Sequence, residues 1–285
     1  MENRKRMGFS KQSIEMISKT LIFLMLAFLS FIVLIPFLWM LSSSLKLDNE
    51  VFSVPIQWIP TSPRWANYLD IWKQIPFLTF YKNTAKLTLI ITLLQLFTSS
   101  LASYGFAKMK FPGRNALFIA YIATIAVPWQ VYMVPQFILM KNVGLVDTHM
   151  SLILLQAFTA FGVFLLRQFY MSIPEELSEA ARIDGLSEYG IYARIILPLS
   201  KPSLATLTIF TFVNTWNDFM GPLIYLNSTK LKTIQLGLRM FISQYAADYG
   251  LIMAASVVAV VPVVVLFLFT QRFFIEGIAT TGLKG

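Results

Sequence analysis

The stretch EELSEAARIDGLSEYGIYARIILPLSKP, residues Glu175–Pro202, differs in composition from the sequence on either side of it. It is written in Glu, Ala, Arg, Asp and Gly, whereas the flanking runs are dominated by Phe, Leu, Ile and Val. A polar segment between two long apolar runs indicates a loop that joins two buried or membrane-embedded helices. The fold therefore depends on what the apolar runs are.

The overall composition predicts an integral membrane protein. Of the 285 residues, 56% are hydrophobic and 13% are charged, whereas soluble domains have about 25% charged residues. The absence of Cys and the presence of one His, His149, exclude disulfides and metal clusters built from His and Cys. A net charge of +9 would suggest nucleic-acid binding in a soluble protein. Here it is better explained by membrane topology, because Lys and Arg collect in cytoplasmic loops.

Six stretches are long and apolar enough to cross a bilayer, which takes about 20 residues of helix. They must be helical because lipid offers the backbone no hydrogen-bond partner, and they lack the alternating polarity of a transmembrane barrel. The sequence therefore predicts an all-α integral membrane fold with six transmembrane helices. The predicted spans are Thr20–Leu41, Thr84–Phe106, Leu117–Leu139, Met150–Tyr170, Ser203–Leu226 and Leu251–Phe273.

The distribution of Lys and Arg predicts the orientation. The side that holds both termini carries fourteen of them and the opposite side eight, with Lys86 just inside the second span. By the positive-inside rule both termini are cytoplasmic, in a cell (inner or plasma) membrane. We expect one transmembrane domain over residues 1–285. Its parts outside the membrane are a cytoplasmic tail at 1–19, an outer loop at 42–83, a cytoplasmic loop at 171–202 and a cytoplasmic tail at 274–285.

Several spans contain residues that disturb an apolar helix. Proline inside a span removes a backbone donor and predicts a kink, either for packing or as a hinge. Polar side chains in spans either join helices or face a water-filled path; of these we expect Gln130, Asn214, Asn217 and Asp218 to line part of such a path. No pair of opposite charges lies within the spans, which weighs against an ion-coupled transporter. The prolines are Pro36, Pro128, Pro135, Pro222 and Pro262, and the other polar residues are Gln95 and Gln156.

The polar stretch itself predicts two short helices joined by a turn. Ser172 is three residues before Glu175, which suits a capping box, and Gly185 suits a C-terminal stop. Ser187 suits the N-cap of the second helix. Small residues at Ala180 and Ala181 would allow another protein to approach closely, although a loop lying on lipid headgroups is equally compatible with this pattern.

The spacing within this stretch resembles a known motif. Glu179-Ala180-Ala181, three residues, Gly185, nine residues, Ile195, one residue and Leu197-Pro198 matches the EAA motif of permeases of binding-protein-dependent ABC importers. TWNDFMGPLIYL at Thr215–Leu226 and FFIEGIATTGLKG at Phe273–Gly285 resemble the carbohydrate-uptake members of that family. The six-span pattern is similar to the smaller permease subunit of the maltose importer, so the resemblance covers essentially the whole chain.

The resemblance implies a type I ABC importer permease whose cytoplasmic loop forms a coupling helix. Glu179, Ala180, Ala181 and Gly185 would dock in a groove of an ATPase subunit, and Leu197-Pro198, with Ile195 before it, would set how the loop joins the fifth span. The tail residues Gly282, Leu283, Lys284 and Gly285 would reach the ATPase dimer.

By the same resemblance the chain is a non-catalytic subunit that moves a sugar or oligosaccharide inward. It would bind no cofactor itself, while ATP and Mg are held by the ATPase. The implied partners are a second permease in a heterodimer, two ATPase subunits, an external solute-binding protein and membrane lipid, but no nucleic acid.

Other functions remain open on the residues alone. The chain lacks the G-x-x-x-x-G-K-[ST] loop that cradles ATP phosphates, so it needs a separate ATPase. A permease for another solute, such as glycerol phosphate or a peptide, and a stand-alone secondary transporter are the nearest alternatives. A membrane enzyme is a weaker one, because Asp218 and Glu276 are isolated carboxylates without a catalytic partner.

Overall fold

The computed structural model describes residues 11–242 and 248–281. The regular elements in these ranges are helices, which confirms the predicted all-α membrane class. The four tail residues predicted to contact an ATPase, 282–285, and the first part of the N-terminal tail lie outside the described residues.

The described ranges contain fifteen α-helices, joined by short 3₁₀ segments at Thr124–Ala126 and Thr229–Leu231 and by a π-helical turn at Tyr192–Ile196. In chain order the α-helices are α1 (Lys11–Ser43), α2 (Asp48–Val51), α3 (Asn67–Gln74), α4 (Phe77–Lys108), α5 (Arg114–Ala123), α6 (Trp129–Asn142), α7 (His149–Gln156), α8 (Ala160–Ser172), α9 (Glu175–Ile183), α10 (Glu188–Ile191), α11 (Leu197–Leu199), α12 (Lys201–Trp216), α13 (Met220–Tyr225), α14 (Ile234–Met240) and α15 (Tyr249–Thr281).

Four predicted spans correspond to helical segments long and apolar enough to cross a membrane. These segments are Glu15–Ser43, Phe77–Lys108, His149–Ser172 and Tyr249–Gln271. The third of them comprises α7 and α8, which meet at residues 157–159. Two of the predicted proline kinks, Pro36 and Pro262, lie inside α1 and α15, which continue through them.

The third predicted span is not one straight helix. Two helical segments, Arg114–Ala126 and Trp129–Asn142, meet at a bend of 98°. The cause is Pro128, which takes an extended conformation and becomes the N-cap of α6, because proline cannot continue the hydrogen bonding of the preceding turn. The expected kink at this proline is therefore a full break. The bent pair can be counted as one span or as a re-entrant segment.

The prediction of Ser203–Leu226 as one continuous fifth helix is wrong. The helix α12 ends at Trp216 and α13 begins only at Met220. At its other end, α12 meets the preceding helical segment, Glu188–Leu199, at a bend of 77°. The Oδ1 atom of Asp218 accepts a hydrogen bond of 3.1 Å from the backbone N–H of Gly221, so this carboxylate satisfies a free donor in the first turn of α13.

The described residues divide into two compact units. The first contains α1, α2 and the start of α15 as far as Val257. Within it, the Asn67 side-chain amide donates to the carbonyls of Ser44 and Lys46, both at 2.9 Å. The carboxylate of Asp48 accepts from the Gly250 N–H at 2.7 Å. These bonds attach the loop after α1 to the start of α15.

The second unit contains the helices from α4 to α14 and the remainder of α15. Its centre is α4, which packs against α8 and α12. Small residues form the α4–α8 contact, as is usual between membrane helices. Ser103 donates to the Val163 carbonyl at 2.9 Å, and a Cβ on Gly162 would lie 2.5 Å from the Ser99 hydroxyl oxygen. The helix α4 therefore provides a closely packed support on which both the polar loop and a polar cavity are built.

Candidate functional site

The first helix of the polar loop ends in a Schellman motif. After α9, the N–H of Leu186 bonds to the Ala181 carbonyl at 2.9 Å and the N–H of Gly185 to the Arg182 carbonyl at 3.0 Å. Gly185 has a φ of +80°, a left-handed backbone conformation that residues other than glycine adopt only with strain. This explains why the motif glycine stands at this position and confirms the predicted helix stop.

The beginnings of the two loop helices differ in how well the sequence predicts them. Ser172 does not cap α9: its hydroxyl donates to the Phe169 carbonyl within α8, and Pro174 occupies the N-cap position. The predicted capping box is therefore wrong. Ser187 does cap α10, since its hydroxyl accepts from the Gly190 N–H at 3.3 Å.

The helix α9 has two chemically different faces. Ser178 is fully buried and Ala181 is 5% exposed, so both face the core of the same chain. The opposite face, here called the outer face of α9, is exposed. Its residues lie at positions i, i+3, i+4 and i+7 and are Glu176, Glu179, Ala180 and Ile183.

This arrangement corrects the predicted docking set. Ala181 is 5% exposed and faces the core of its own chain, so it does not lie on the outer face with Ala180. Glu179, Ala180 and Gly185 are exposed, whereas Ala181 belongs to the core beside Leu166 and Ile191. The small side chain of Ala181 allows α9 to lie close to its own chain.

The two most exposed apolar residues of the loop were not predicted as functional. Ile183 is 87% exposed and Tyr189 is 80% exposed. A large apolar side chain on the polar face of a short helix is the sequence signal that could have identified Ile183. Exposed apolar side chains beside polar ones mark protein contact surfaces when they cluster.

Lys108, the last residue of α4, anchors the start of the loop. Its ammonium group donates to the Ile173 carbonyl at 2.7 Å and lies 3.2 Å from a carboxylate oxygen of Glu175. The Lys108 side chain is 4% exposed, whereas that of Glu175 is 43% exposed. A buried ammonium group needs such partners because leaving it unpaired would be costly.

A second contact joins α4 to the other end of the loop. Tyr104 donates to one carboxylate oxygen of Glu188 at 2.6 Å, and Arg182 donates to the other at 2.8 Å. Arg182 also lies 3.5 Å from Glu175. The hydrogen bond to Glu188 raises the pKa of Arg182 above its ordinary value. We call Tyr104, Lys108, Glu175, Arg182 and Glu188 the brace, because together they fix α9 and α10 to the end of α4.

The remaining motif residues lie just before α12. Ile195 falls in the π-helical turn and is half-buried against the core, Leu197 is half-buried and Pro198 is exposed. The π turn ends at Ile196, two residues before Pro198, which cannot make an α-helical hydrogen bond to the carbonyl four residues earlier. These residues immediately precede the 77° bend at the start of α12.

A cavity of about 410 Å³ lies in the same unit, among α4, α6, α7, α12 and α13. Its volume falls within the roughly 300–1,000 Å³ typical of small-molecule sites. Of the predicted path residues, Asn214 and Asp218 line it. Gln130 and Asn217 are exposed and are not among its lining residues. Gln95 and Gln156, expected as polar span residues, also line it.

Hydrogen bonds hold the polar groups of the cavity in place. Gln156 donates to Asp218 at 2.8 Å, and Gln95 donates to the backbone carbonyl of Gln156 at 2.7 Å. The side-chain oxygen of Gln136 accepts from Trp129 at 2.9 Å and from Tyr225 at 3.3 Å. Trp129, Gln136 and Tyr225 were not predicted as site residues, because the break at Pro128 that turns α6 toward the cavity is not visible from periodicity.

A turn at Asp147 holds two segments next to this cavity. Asp147 has a φ of +61°, and its carboxylate accepts from the backbone N–H groups of Asn227 and Ser228 at 2.9 and 2.8 Å and from the Ser228 hydroxyl. The hydrogen bonds from Ser228 hold the pKa of Asp147 below its ordinary value. The turn therefore ties the loop between α6 and α7 to the chain that follows α13.

Comparison with known proteins agrees with this architecture. Residues 95–274 match the family described as "Binding-protein-dependent transport system inner membrane component". The arabinooligosaccharides transport system permease protein AraQ of Halalkalibacterium halodurans is 36% identical over 262 residues, which are 91% of this chain and 94% of AraQ. The sn-glycerol-3-phosphate transport system permease protein UgpE of Yersinia pestis is 34% identical over 239 residues, covering 81% and 85% of the two chains.

A solved structure has the same fold. A chain of a bacterial ABC transporter involved in the import of the acidic polysaccharide alginate superposes with a TM-score of 0.82 and 22% identity, covering 94% of this chain and 99% of that chain. The family match spans more than half of the sequence and includes both the polar loop and the cavity-lining helices. The chain therefore belongs to the family of inner membrane components of binding-protein-dependent transport systems.

Proposed function

We propose that this chain is a transmembrane subunit of an ABC importer that moves a sugar or oligosaccharide into the cell. The transport would be driven by ATP hydrolysis on a separate ATPase subunit. The observation that carries the proposal is the outer face of α9, which presents an 87% exposed Ile183 on a loop held to α4 by the brace. A loop fixed at both ends can transmit the movement of a bound partner to the membrane helices.

The proposed coupling surface is the outer face of α9, because its side chains are exposed. Ile183 fills an apolar pocket of the ATPase, and Ala180 allows close approach because it is small. Glu179 adds a charged hydrogen bond at the edge of the contact. Ala181 instead holds α9 against its own chain, where it is 5% exposed.

The brace connects the outer face of α9 to the membrane helices through α4. Lys108 and Tyr104 lie on the last turns of α4, which packs against both α8 and α12. A movement of α9 therefore acts on three helices as a rigid body, which is one of the usual forms of a two-state switch. The bend at Leu197 and Pro198 would direct the same movement into α12.

We propose a set of partners that the chain needs for this activity. They are a second permease subunit, two ATPase subunits that hold ATP and Mg, and an external solute-binding protein. Both termini and the polar loop lie on the cytoplasmic side in this arrangement, as the distribution of Lys and Arg favours. The cavity lined by Asn214 and Asp218 forms part of the solute path.

The relatives support a carbohydrate as the solute, since the 36% identical AraQ is named for arabinooligosaccharide transport. The 34% identical UgpE, named for sn-glycerol-3-phosphate, keeps a phosphorylated polyol as a second candidate. The polar and aromatic lining of the cavity, with one acidic and no basic side chain among the lining residues described, favours the carbohydrate.

The test is purification of this chain from its native membrane in mild detergent, followed by mass spectrometry of what accompanies it. The proposal expects an ATPase and a second permease, and the accompanying solute-binding protein then identifies the sugar through its own ligand. Recovery of the chain alone, or only as a homo-oligomer, under several gentle detergents would count against an ATP-driven importer and favour a stand-alone transporter.

A further inference from the structure

The lining of the cavity combines aromatic rings with side-chain amides. Trp129, Tyr132 and Phe158 contribute ring surface, and Gln136, Gln156 and Asn214 contribute amide groups. Aromatic faces suit the C–H faces of sugar rings, and amides both donate to and accept from hydroxyl groups.

Several of these amide groups have hydrogen-bonding capacity left for a ligand. The side-chain oxygen of Gln136 accepts from Trp129 and Tyr225, so neither of these bonds uses its NH₂ group. Gln156 uses its NH₂ group on Asp218, which leaves its oxygen as an acceptor. Donors and acceptors thus stand side by side, as recognition of hydroxyl groups requires.

The charge of the cavity is the feature that selects among saccharides. Among the lining residues in the described part of the chain, Asp218 is the one charged side chain, and it is acidic. Its Oδ1 accepts from the Gly221 N–H at 3.1 Å and its Oδ2 accepts from Gln156 at 2.8 Å. Each of its oxygens therefore accepts a hydrogen bond; such bonds favour the ionised form of a carboxyl group and fix its position.

We infer that this cavity is a subsite for neutral saccharides and that Asp218 excludes anionic ones such as uronic acids and sugar phosphates. The inference rests on the proposed import of a sugar and specifies its class. A sugar carboxylate or phosphate in the cavity would face Asp218 with no cation among the lining residues that the structure describes. Like charges at close range repel each other. A neutral saccharide can accept the hydrogen bonds of Gln136 and donate to Asp218 and Gln156 without this penalty.

The test measures direct binding to the assembled transporter in lipid nanodiscs, without the solute-binding protein, whose own selectivity would hide that of the cavity. The two probes are trisaccharides, neutral arabinotriose and trianionic trimannuronate, observed by saturation-transfer NMR. For the natural sequence we expect arabinotriose to bind on the order of tenfold more tightly, or better.

The informative variant is Asp218→Asn, which keeps the side-chain shape and an oxygen for the Gly221 N–H. We expect the preference for arabinotriose over trimannuronate to fall on the order of tenfold in this variant, because both probes lose the same acceptor and only the anionic probe is relieved of a repelling charge. The matched control combines Asp218→Asn with Asn217→Asp. It restores the total charge but places the carboxylate on a residue that does not line the cavity, so we expect it to behave like the single variant.

Each result decides the question. Equal binding of both trisaccharides to the natural sequence, or no change in selectivity on Asp218→Asn, would overturn the inference and leave sugar import intact. Binding of neither probe would overturn the cavity as a saccharide subsite. If the double variant regains selectivity, the effect comes from overall charge and its assignment to Asp218 is wrong. The proposed importer function is tested by a different experiment, the detergent purification, and would be contradicted there by the absence of an ATPase from the purified assembly.

Discussion

Replacing Lys108 with Met removes the best-buried charge of the brace while keeping a long side chain with good helix propensity. The loss has two parts. The Ile173 carbonyl loses a 2.7 Å hydrogen bond from a charged donor, which is worth about 1.5–3 kcal/mol. The 3.2 Å ion pair with Glu175 adds about 0–1 kcal/mol, because the Glu175 side chain is 43% exposed and solvent screens it.

We therefore expect Lys108→Met to weaken the attachment of α9 by about 1.5–4 kcal/mol, which raises the fraction of detached loop roughly 10- to 700-fold. Two measurements follow this change. Amide hydrogen exchange in α9 should accelerate by about the same factor, since exchange there reports local opening. In proteoliposomes of the complete importer, solute moved per ATP hydrolysed should fall, because a loose loop passes on less of the ATPase movement.

The matched control is Lys110→Met, two residues further on, where the lysine is exposed and outside the brace. It removes the same charge and should leave both measurements as in the natural protein. The reasoning is refuted if Lys108→Met leaves α9 exchange and the ratio of transport to ATP unchanged. Equal effects of the two substitutions would also refute it, because they would point to membrane-surface charge and not to the brace.

Three further predictions concern single positions. Gly162→Ala should destabilise the α4–α8 contact by about 1–3 kcal/mol, because its Cβ would lie 2.5 Å from the Ser99 hydroxyl oxygen. The control is Gly105→Ala, since a Cβ there would have nothing within 4 Å. Equal melting temperatures of the two variants would contradict the prediction. Gly185→Val should cost about 1–2 kcal/mol or more at a φ of +80° and uncouple transport while insertion stays normal, and natural uptake would argue against its role in the loop turn. The pKa of Asp147 is lowered by Ser228, so the stabilisation by this carboxylate is present above its ordinary pKa of 3.8 and is lost as the pH falls through the lower folded value. Ser228→Ala should move that loss to higher pH in an acid unfolding series, and an unchanged profile would contradict it.

Apolar composition was sufficient to predict the membrane class and most of the spans, because a bilayer demands long apolar helices whatever the tertiary packing. It was not sufficient to predict where those helices break. A hydropathy run treats Leu117–Leu139 as uniform, but Pro128 turns the chain by 98°. It likewise treats Ser203–Leu226 as uniform, although α12 ends at Trp216 and the side chain of Asp218 starts a new helix.

In the polar loop, likewise, the sequence predicts the features that depend on neighbouring residues but not the contacts between distant parts of the chain. The stop at Gly185 and the cap at Ser187 depend on a few neighbouring residues, so the sequence predicts both. The burial of Ala181 and the pairing of Lys108 with Glu175 join parts of the chain that are far apart in sequence. Spacing within a motif says nothing about such contacts, and the resemblance to the EAA motif does not say which of its alanines faces outward.

The central claim, that α9 is the surface on which an ATPase acts, can be tested by cross-linking in native membranes. The chain has no Cys, so one Cys in place of Ile183 provides a single attachment point for a photoreactive maleimide. Val54→Cys is the control, since Val54 is 93% exposed but lies in the predicted outer loop. We predict that the Ile183→Cys probe attaches to an ATPase subunit and the Val54→Cys probe does not. Attachment of the Ile183→Cys probe to lipid alone, or of both probes to the same partner, would contradict the account.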